Sequence, residues 1–137
     1  MNIKRITNGL SVSPQIAAKD MQEIAALGFR AIVCNRPDGE SAGQPSHAEI
    51  EAAARKAGLG FRYQPVASPM VRNDQITAFA TALEELPGPV LAYCRSGARS
   101  TMLWSMVEKR RNKATESNGQ RKGWGSVFST LLGARKA

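Results

Sequence analysis

The chain has 137 residues, 42% of them apolar, which fits one globular domain with a modest hydrophobic core. Its net charge of +8 is concentrated near one end, because residues 109–137 hold eight Lys or Arg against one acid, whereas residues 1–108 hold eleven against ten. A nearly neutral body argues against a nucleic-acid-binding domain, and the lack of a signal-peptide pattern or of about 20 consecutive apolar residues favours a cytoplasmic protein without a membrane span.

The first part of the chain is predicted to form an edge strand or a short hairpin, then a helix and a buried strand. Residues 3–13 alternate weakly between apolar and polar side chains, which predicts an edge strand or a short hairpin. Residues 21–27 have apolar side chains at helical spacing, and Gly28 is a suitable C-cap. Residues 29–34 form a short β-branched run, which predicts a buried parallel strand followed by a loop at its carboxyl end.

The middle of the chain predicts a capped helix and a third strand. Ser46 lies three residues before Glu49, which is the spacing of a capping box, and the helix is predicted to run to about Ala57. A further strand is predicted over residues 61–66. Pro65 places the end of that strand near an edge or a loop.

The last part of the neutral body predicts a helix, the central strand and a final helix. We expect Asn73 or Asp74 to cap a helix that runs through Leu86. Residues 90–93 are continuously apolar, as in a strand that is buried on both faces. The final helix is predicted over residues 100–107.

This alternation of strands and helices predicts an α/β domain with a mainly parallel central sheet and helices on both faces. Ligand sites in such folds lie beyond the carboxyl ends of the strands, and both cysteine-containing loops, after Val33 and after Tyr93, are expected there. We assign residues 1–108 to this domain. Residues 109–137 are predicted to form a basic, linker-like tail with a short apolar end at 124–132.

The loop after the central strand has the composition of an anion-binding site. Backbone N–H groups of a glycine-containing turn and of a helix N-terminus converge on one point and favour an anion there, and the same field lowers the pKa of a thiol. We therefore predict that Cys94 is a thiolate nucleophile and that Arg99 presents a planar fork to two oxygens of an oxyanion. The other residues of the predicted anion-binding loop are Arg95, Ser96, Gly97, Ala98 and Ser100.

Within this loop, Gly97 provides the backbone angles that the cradle needs, and Arg95 adds positive charge. Ser100 is expected to donate to the sulfur or to cap the following helix. Two cysteines and a single histidine are too few for a disulfide scaffold and do not match a zinc-site pattern. Neither a metal nor a cofactor is therefore expected.

Five stretches of the sequence carry a family resemblance, namely Leu10–Ser13 with Gln15, Ala25–Phe29, Val33–Glu40, Pro65–Val66 and Leu86–Gly97. In these stretches the chain resembles the phosphatase-like domain family of beta-lactamase-hydrolase-like proteins, a branch of the cysteine phosphatase superfamily. The resemblance covers residues 1 to about 108. It implies a cysteine-phosphatase-like fold and a covalent intermediate on Cys94.

The spacing in the loop departs from the usual pattern of that superfamily. Such phosphatases place five residues between the nucleophile and the arginine, whereas four separate Cys94 from Arg99. Rhodanese-type sulfurtransferases commonly have the shorter Cys-Arg-x-Gly-x-Arg form, in which the cradle stabilises a cysteine persulfide. Family members also occur fused or linked to sulfide-oxidising partners, so the resemblance leaves both phosphoryl chemistry and sulfur transfer open.

A phosphatase also needs a general acid to protonate the leaving oxygen. Asp74 lies where the acid loop of the superfamily is expected, although it could equally cap the following helix. Asp38 is the other candidate, and its alternative role is to orient an arginine of the site. Arg36 is expected to be an indirect anion contact at most. Cys34 ends the neighbouring strand, and the superfamily resemblance implies either a buried structural residue or a reversible disulfide partner of Cys94.

Three functions therefore stay open on the sequence alone. The first is a cysteine-dependent phosphatase-like hydrolase with a covalent Cys94 intermediate. The second is a sulfurtransferase that carries sulfane sulfur as a Cys94 persulfide, and the third is a non-catalytic anion-binding or regulatory module. The expected ligand is a small anion, either a phosphate ester or a sulfane sulfur donor, and the resemblance implies a sulfide-oxidation partner.

Overall fold

The computed structural model describes residues 1–67 and 70–122, with side chains through residue 115. The strands are β1 (Lys4–Thr7), β2 (Leu10–Ser13), β3 (Ala31–Cys34), β4 (Gly60–Tyr63) and β5 (Val90–Tyr93). The helices are α1 (Met21–Ala26), which follows a short 3-10 turn, α2 (His47–Lys56), α3 (Asn73–Glu85) and α4 (Ala98–Lys122).

The five strands form one mixed sheet in the order β1-β2-β5-β3-β4. β1 and β2 are antiparallel, which confirms the short hairpin predicted for residues 3–13, and the other neighbours are parallel. β5 lies at the centre and is buried along its whole length, as its apolar sequence predicts. Because Ser13, Cys34 and Tyr93 are in register, the loops that follow β2, β3 and β5 leave the same edge of the sheet.

Helices cover both faces of the sheet, because successive side chains of a strand point to opposite sides. One buried cluster joins β5 to α3 and α4 through Ala92, Phe79 and Leu103. The other cluster joins β5 to α2 through Leu91 and Ile50. The predicted α/β architecture is therefore confirmed, and β5 and the start of its following loop are held from both sides.

The helices α2 and α3 begin in different ways. The Ser46 hydroxyl accepts the N–H of Glu49 at 3.2 Å, which confirms the cap predicted from their spacing. The prediction that Asn73 or Asp74 caps α3 is wrong, because the cap residue is Arg72. The N–H of Arg72 donates at 2.9 Å to the side-chain amide oxygen of the third helical residue, so the helix already includes both predicted caps.

Helix α4 is longer than the sequence patterns predict. It continues to Lys122, so residues 109–122 are helical rather than linker-like. Six of the fourteen residues of this segment are Lys or Arg, which have high helix propensity. Arg110 also fastens the segment to the body, because its Nη1 donates to Thr77 Oγ1 of α3 at 2.7 Å.

The predicted apolar end at 124–132 lies outside the described residues. The division of the chain at residue 108 stays a prediction, and α4 crosses that point without a break. Among the helices of residues 1–67 and 70–122, none is long and apolar enough to cross a membrane.

Candidate active site

Cys94 directly follows β5, and the next residues wrap their backbone around its sulfur. The N–H of Gly97 donates to Cys94 Sγ at 3.0 Å, and the N–H groups of Ser96, Arg99 and Ser100 hydrogen-bond the same atom. Gly97 has a φ of +95°, a conformation that residues with a Cβ rarely adopt. The loop is therefore an N–H cradle around one sulfur atom, and its turn depends on glycine.

Two opposing effects act on the Cys94 thiol. Burial raises its pKa, since the residue has an exposed fraction of 0%. The four N–H donors of the loop stabilise the thiolate, and the net result is a pKa below the usual value. Cys94 is therefore more ionised at neutral pH than an ordinary cysteine.

The guanidinium of Arg99 has one side bound by protein groups. Its Nη1 donates to Glu40 Oε2 at 2.6 Å and to the Val66 carbonyl at 2.8 Å, and its Nη2 donates to Glu40 Oε1 at 2.8 Å. These bonds use three of the five N–H donors of the group and leave Nε–H and one Nη2–H. The hydrogen bond with Glu40 and, less strongly, the thiolate of Cys94 raise the pKa of Arg99, and the two remaining donors lie along one edge of the guanidinium.

Glu40 belongs to this site although the motif spacing does not point to it. Its Oε1 also accepts the Nε–H of Arg36 at 3.0 Å, so two buried arginines share one carboxylate. The hydrogen bonds from Arg99 and then from Arg36 hold the pKa of Glu40 below its usual value. The signal available in the sequence was its place in the loop after β3, which leaves the same sheet edge as the Cys94 loop.

Arg36 holds Glu40 in place. The residue is 5% exposed, and its Nη1 and Nη2 donate to Gln15 Oε1 and Ser41 Oγ, each at 2.9 Å. Arg36 is therefore linked to Arg99 only through Glu40. It lies one contact further from a bound anion than the indirect contact that the sequence predicts.

Ser100 supports the loop in two ways. Its N–H binds the Cys94 sulfur, whereas its hydroxyl donates to Asn35 Oδ1 at 2.8 Å instead of to the sulfur. Asn35 is fully buried and, like Glu40, is not indicated by the motif. Both residues come from the loop after β3, which the sheet order places beside β5.

The outer side of the loop consists of Arg95, Ser96 and Ala98, which are exposed. The Ser96 hydroxyl accepts the N–H of Ala98 at 3.3 Å. A groove of about 610 Å³ lies beside Ser96 and Ala98, and its walls include Lys4 and Thr101. The loop therefore has a groove on its outer side.

The two aspartates predicted as general acids have other partners. Asp38 accepts the backbone N–H of His47 at 2.8 Å and pairs with its Nδ1 at 2.7 Å. The alternative prediction that Asp38 orients an arginine of the site is thus wrong, because both arginines bind Glu40 of the same loop instead. Asp74 has a side chain that is 71% exposed and pairs with Arg72 at 2.9 Å, and this hydrogen bond lowers the pKa of Asp74.

Cys34 is buried at the end of β3, with an exposed fraction of 2%. Its thiol donates to the Arg36 carbonyl at 3.3 Å, and the Tyr93 side chain hydrogen-bonds its sulfur. Burial raises the pKa of Cys34, opposite to the shift at Cys94. Both cysteines are free thiols, so no disulfide joins them in this structure, and their reversible pairing stays a prediction.

A mostly parallel sheet whose central strand ends in an N–H cradle around a cysteine defines a cysteine-phosphatase-like domain. Solved structures share the fold. A protein from Neisseria meningitidis Z2491, described provisionally as a phosphatase, is 32% identical with a TM-score of 0.75 over 96% of both chains. The core catalytic domain of a PP-IP phosphatase from S. cerevisiae has a TM-score of 0.63 at 15% identity, over 82% of this chain and 67% of that one.

The chain belongs to the family of the phosphatase-like domain of beta-lactamase hydrolase-like proteins, whose family model matches residues 2–110. The beta-lactamase hydrolase-like protein of Agrobacterium fabrum is 35% identical over 108 residues, which make up 79% of this chain and 25% of that protein. The chain thus spans about a quarter of the length of the curated relatives that it matches. The family indicated by the sequence resemblance is confirmed.

Proposed function

We propose that this domain is a cysteine-dependent phosphatase-like hydrolase in which Cys94 forms a covalent phosphocysteine. The observation that carries the proposal is the set of four N–H groups directed at Cys94 Sγ. Donors in this arrangement stabilise a thiolate and favour the oxygens of a phosphoryl group bound above it. The family and the fold support phosphatase-type chemistry.

In the proposed reaction, the Cys94 thiolate attacks the phosphorus of a phosphate monoester. An S–P bond forms, and the bond from phosphorus to the leaving oxygen breaks. The free edge of Arg99 binds two non-bridging oxygens, and the loop N–H groups stabilise the developing charge. Water then attacks the phosphocysteine, which releases inorganic phosphate and restores the thiolate.

The carboxylates around the loop restrict the substrates of this reaction. The hydrogen bonds of Glu40 with Arg99 and of Asp74 with Arg72 lower the pKa of each carboxyl. At Asp38, slight burial raises the pKa of the carboxyl, but hydrogen bonds with His47 outweigh it and the pKa is below its usual value. Since ionised carboxylates are poor proton donors near neutral pH, we infer that the favoured esters have leaving groups that depart as anions.

Sulfur transfer is the second candidate function, and two observations favour it. The loop has four residues between Cys94 and Arg99, and a single terminal sulfur needs a smaller cradle than a phosphoryl group. The transfer also needs no general acid. With thiosulfate as donor, the Cys94 thiolate attacks the sulfane sulfur, an S–S bond forms on Cys94, and sulfite leaves with the electron pair of the broken bond.

Hydrolysis of an activated aryl phosphate tests the first function. Cys94→Ser should abolish turnover, and Arg99→Lys should reduce it by about 10²-fold or more, because a point charge cannot replace the planar fork. Arg62→Lys is the matched control, since Arg62 lies on the edge strand β4 and pairs with the exposed Glu85. Equal turnover by the unmodified chain and Cys94→Ser would exclude the hydrolase.

Mass measurement after incubation with thiosulfate tests the second function. A gain of one sulfur atom that maps to Cys94 and is absent in Cys94→Ser supports a persulfide carrier. If no sulfur is gained under conditions in which the aryl phosphate is hydrolysed, the hydrolase is the only one of these two functions that remains. If neither reaction occurs while sulfate still binds, the domain is an anion-binding module.

A further inference from the structure

The contact between Glu40 and Arg99 divides the guanidinium into two functional edges. The outer edge, formed by Nη1 and Nη2, is bound by both carboxylate oxygens of Glu40 at 2.6 and 2.8 Å. The other hydrogen of Nη1 goes to the Val66 carbonyl at 2.8 Å. What remains is the inner edge, Nε–H with one Nη2–H, and this pair has the parallel geometry that binds two oxygens of an oxyanion.

Glu40 is itself held rigidly enough to define this orientation. Its side chain is 25% exposed, while those of Arg36 and Arg99 are 6% and 9% exposed. Arg36 reaches Glu40 with Nε at 3.0 Å and is fixed by Gln15 and Ser41. The two arginines and one carboxylate carry a net charge of +1, so the pair formed by Glu40 and Arg99 does not leave the site electrically neutral.

We propose that Glu40 is a positioning residue that turns the inner edge of Arg99 toward Cys94, so that this edge binds two oxygens of the oxyanion held by the loop. Glu40 does not touch the ligand in this arrangement. It acts through Arg99, and Arg36 acts through Glu40. The inference rests on the proposed oxyanion site, but sulfate binding and thiol titration, which test it, require no turnover.

Positioning and simple charge predict effects of opposite sign for Glu40→Gln. Removal of a negative charge near Arg99 by itself would lower the pKa of Cys94 and tighten sulfate binding, because both anions would lose a repulsive neighbour. Loss of positioning would let Arg99 turn away from the sulfur. In that case the pKa of Cys94 rises, and sulfate binding weakens by about tenfold or more, as expected for the loss of a charged bidentate contact.

The experiment therefore measures sulfate affinity by calorimetry and the ionisation of Cys94 by thiolate absorbance, with Cys94→Ser as the spectroscopic blank. Glu51→Gln is the matched control, because Glu51 also accepts from an arginine four residues away, on the surface of α2. We expect Glu51→Gln to change neither quantity by more than about twofold. A lower pKa of Cys94 and tighter sulfate binding in Glu40→Gln would overturn the proposal.

Glu40→Asp keeps the charge and serves if Glu40→Gln does not fold. Its carboxylate is one methylene shorter and cannot reach both Nη atoms of Arg99 from the same backbone. We expect weaker sulfate binding and a higher pKa of Cys94 than in the unmodified chain, and values equal to those of the unmodified chain would overturn the proposal. If the unmodified chain binds no sulfate, the oxyanion site is wrong, and the titration of Cys94 decides the role of Glu40.

Discussion

Ser100 and Asn35, 65 residues apart in the chain, meet beneath the cysteine cradle, where the Ser100 hydroxyl donates to Asn35 Oδ1 at 2.8 Å. Asn35 also donates through Nδ2 to the Gln64 carbonyl at 2.9 Å, and through its N–H to the Tyr93 carbonyl at 2.8 Å. One buried residue therefore connects the ends of β3, β4 and β5 with the first turn of α4. This connection holds Ser100, whose N–H is part of the cradle around the Cys94 sulfur.

Ser100→Ala should destabilise the fold, because it leaves Asn35 Oδ1 buried without its hydroxyl donor. We expect the free energy of unfolding, measured with denaturant, to fall by about 1–3 kcal/mol. Ser105→Ala is the control at an exposed position of the same helix and should change the free energy of unfolding by about 0.5 kcal/mol or less. Equal effects of the two substitutions would show that the Asn35 contact contributes no stability.

The two cysteines should ionise in opposite directions from the usual thiol pKa of 9.0. The loop N–H groups, acting against burial, place the pKa of Cys94 below this value, while burial places that of Cys34 above it. Thiolate absorbance, taken as the difference between the unmodified chain and Cys94→Ser, should therefore rise with a midpoint below 9.0. A Cys94-dependent rate should fall on acidification through the same midpoint, and a midpoint above 9.0 would contradict the cradle.

Glu40 should make the free energy of unfolding of the domain depend on pH in the acidic range. Its pKa is lower in the folded chain than the usual 4.5, so its contribution is complete above 4.5 and is lost as the pH falls through the folded-state pKa. Glu40→Gln should lower the free energy of unfolding at neutral pH by about 1.5–3 kcal/mol. The difference from the unmodified chain should shrink on acidification.

Denaturant titrations at several pH values measure this difference. Glu85→Gln provides the control, since Glu85 is a more exposed partner of an arginine and should contribute about 1 kcal/mol or less. A difference between Glu40→Gln and the unmodified chain that stays constant with pH would mean that the ionisation of Glu40 is not coupled to folding.

Turnover of phosphate esters should depend strongly on the leaving group. With the neighbouring carboxyls ionised, no proton reaches a poor leaving oxygen, and the missing acid is expected to cost about 10²–10⁴-fold in rate. A series of aryl phosphates with leaving phenols of graded acidity measures this dependence. Rates that do not vary along the series would show that a general acid acts in the reaction.

Much of the scaffold was predictable because short-range patterns control it. The apolar run of β5, the cap of α2 by Ser46 and the glycine of the Cys94 loop each depend on residues close in sequence. The predicted start of α3 and the predicted end of α4 were wrong, and the contact with α3 that fastens α4 beyond residue 109 is not contained in the local sequence pattern. Helix α3 uses Arg72 as its cap residue, and α4 continues past residue 109 because helix-forming residues are fastened to α3.

The Cys94 loop is the part of the site that the sequence by itself determined, since strand, cysteine, glycine and helix start are contiguous and this order favours N–H groups that converge on the sulfur. The partners of the loop were decided by tertiary structure. Glu40 lies 59 residues from Arg99 and reaches it only because β3 lies next to β5 in the sheet. Local spacing therefore indicated the proposed nucleophile, while the strand order determined which carboxylate binds Arg99.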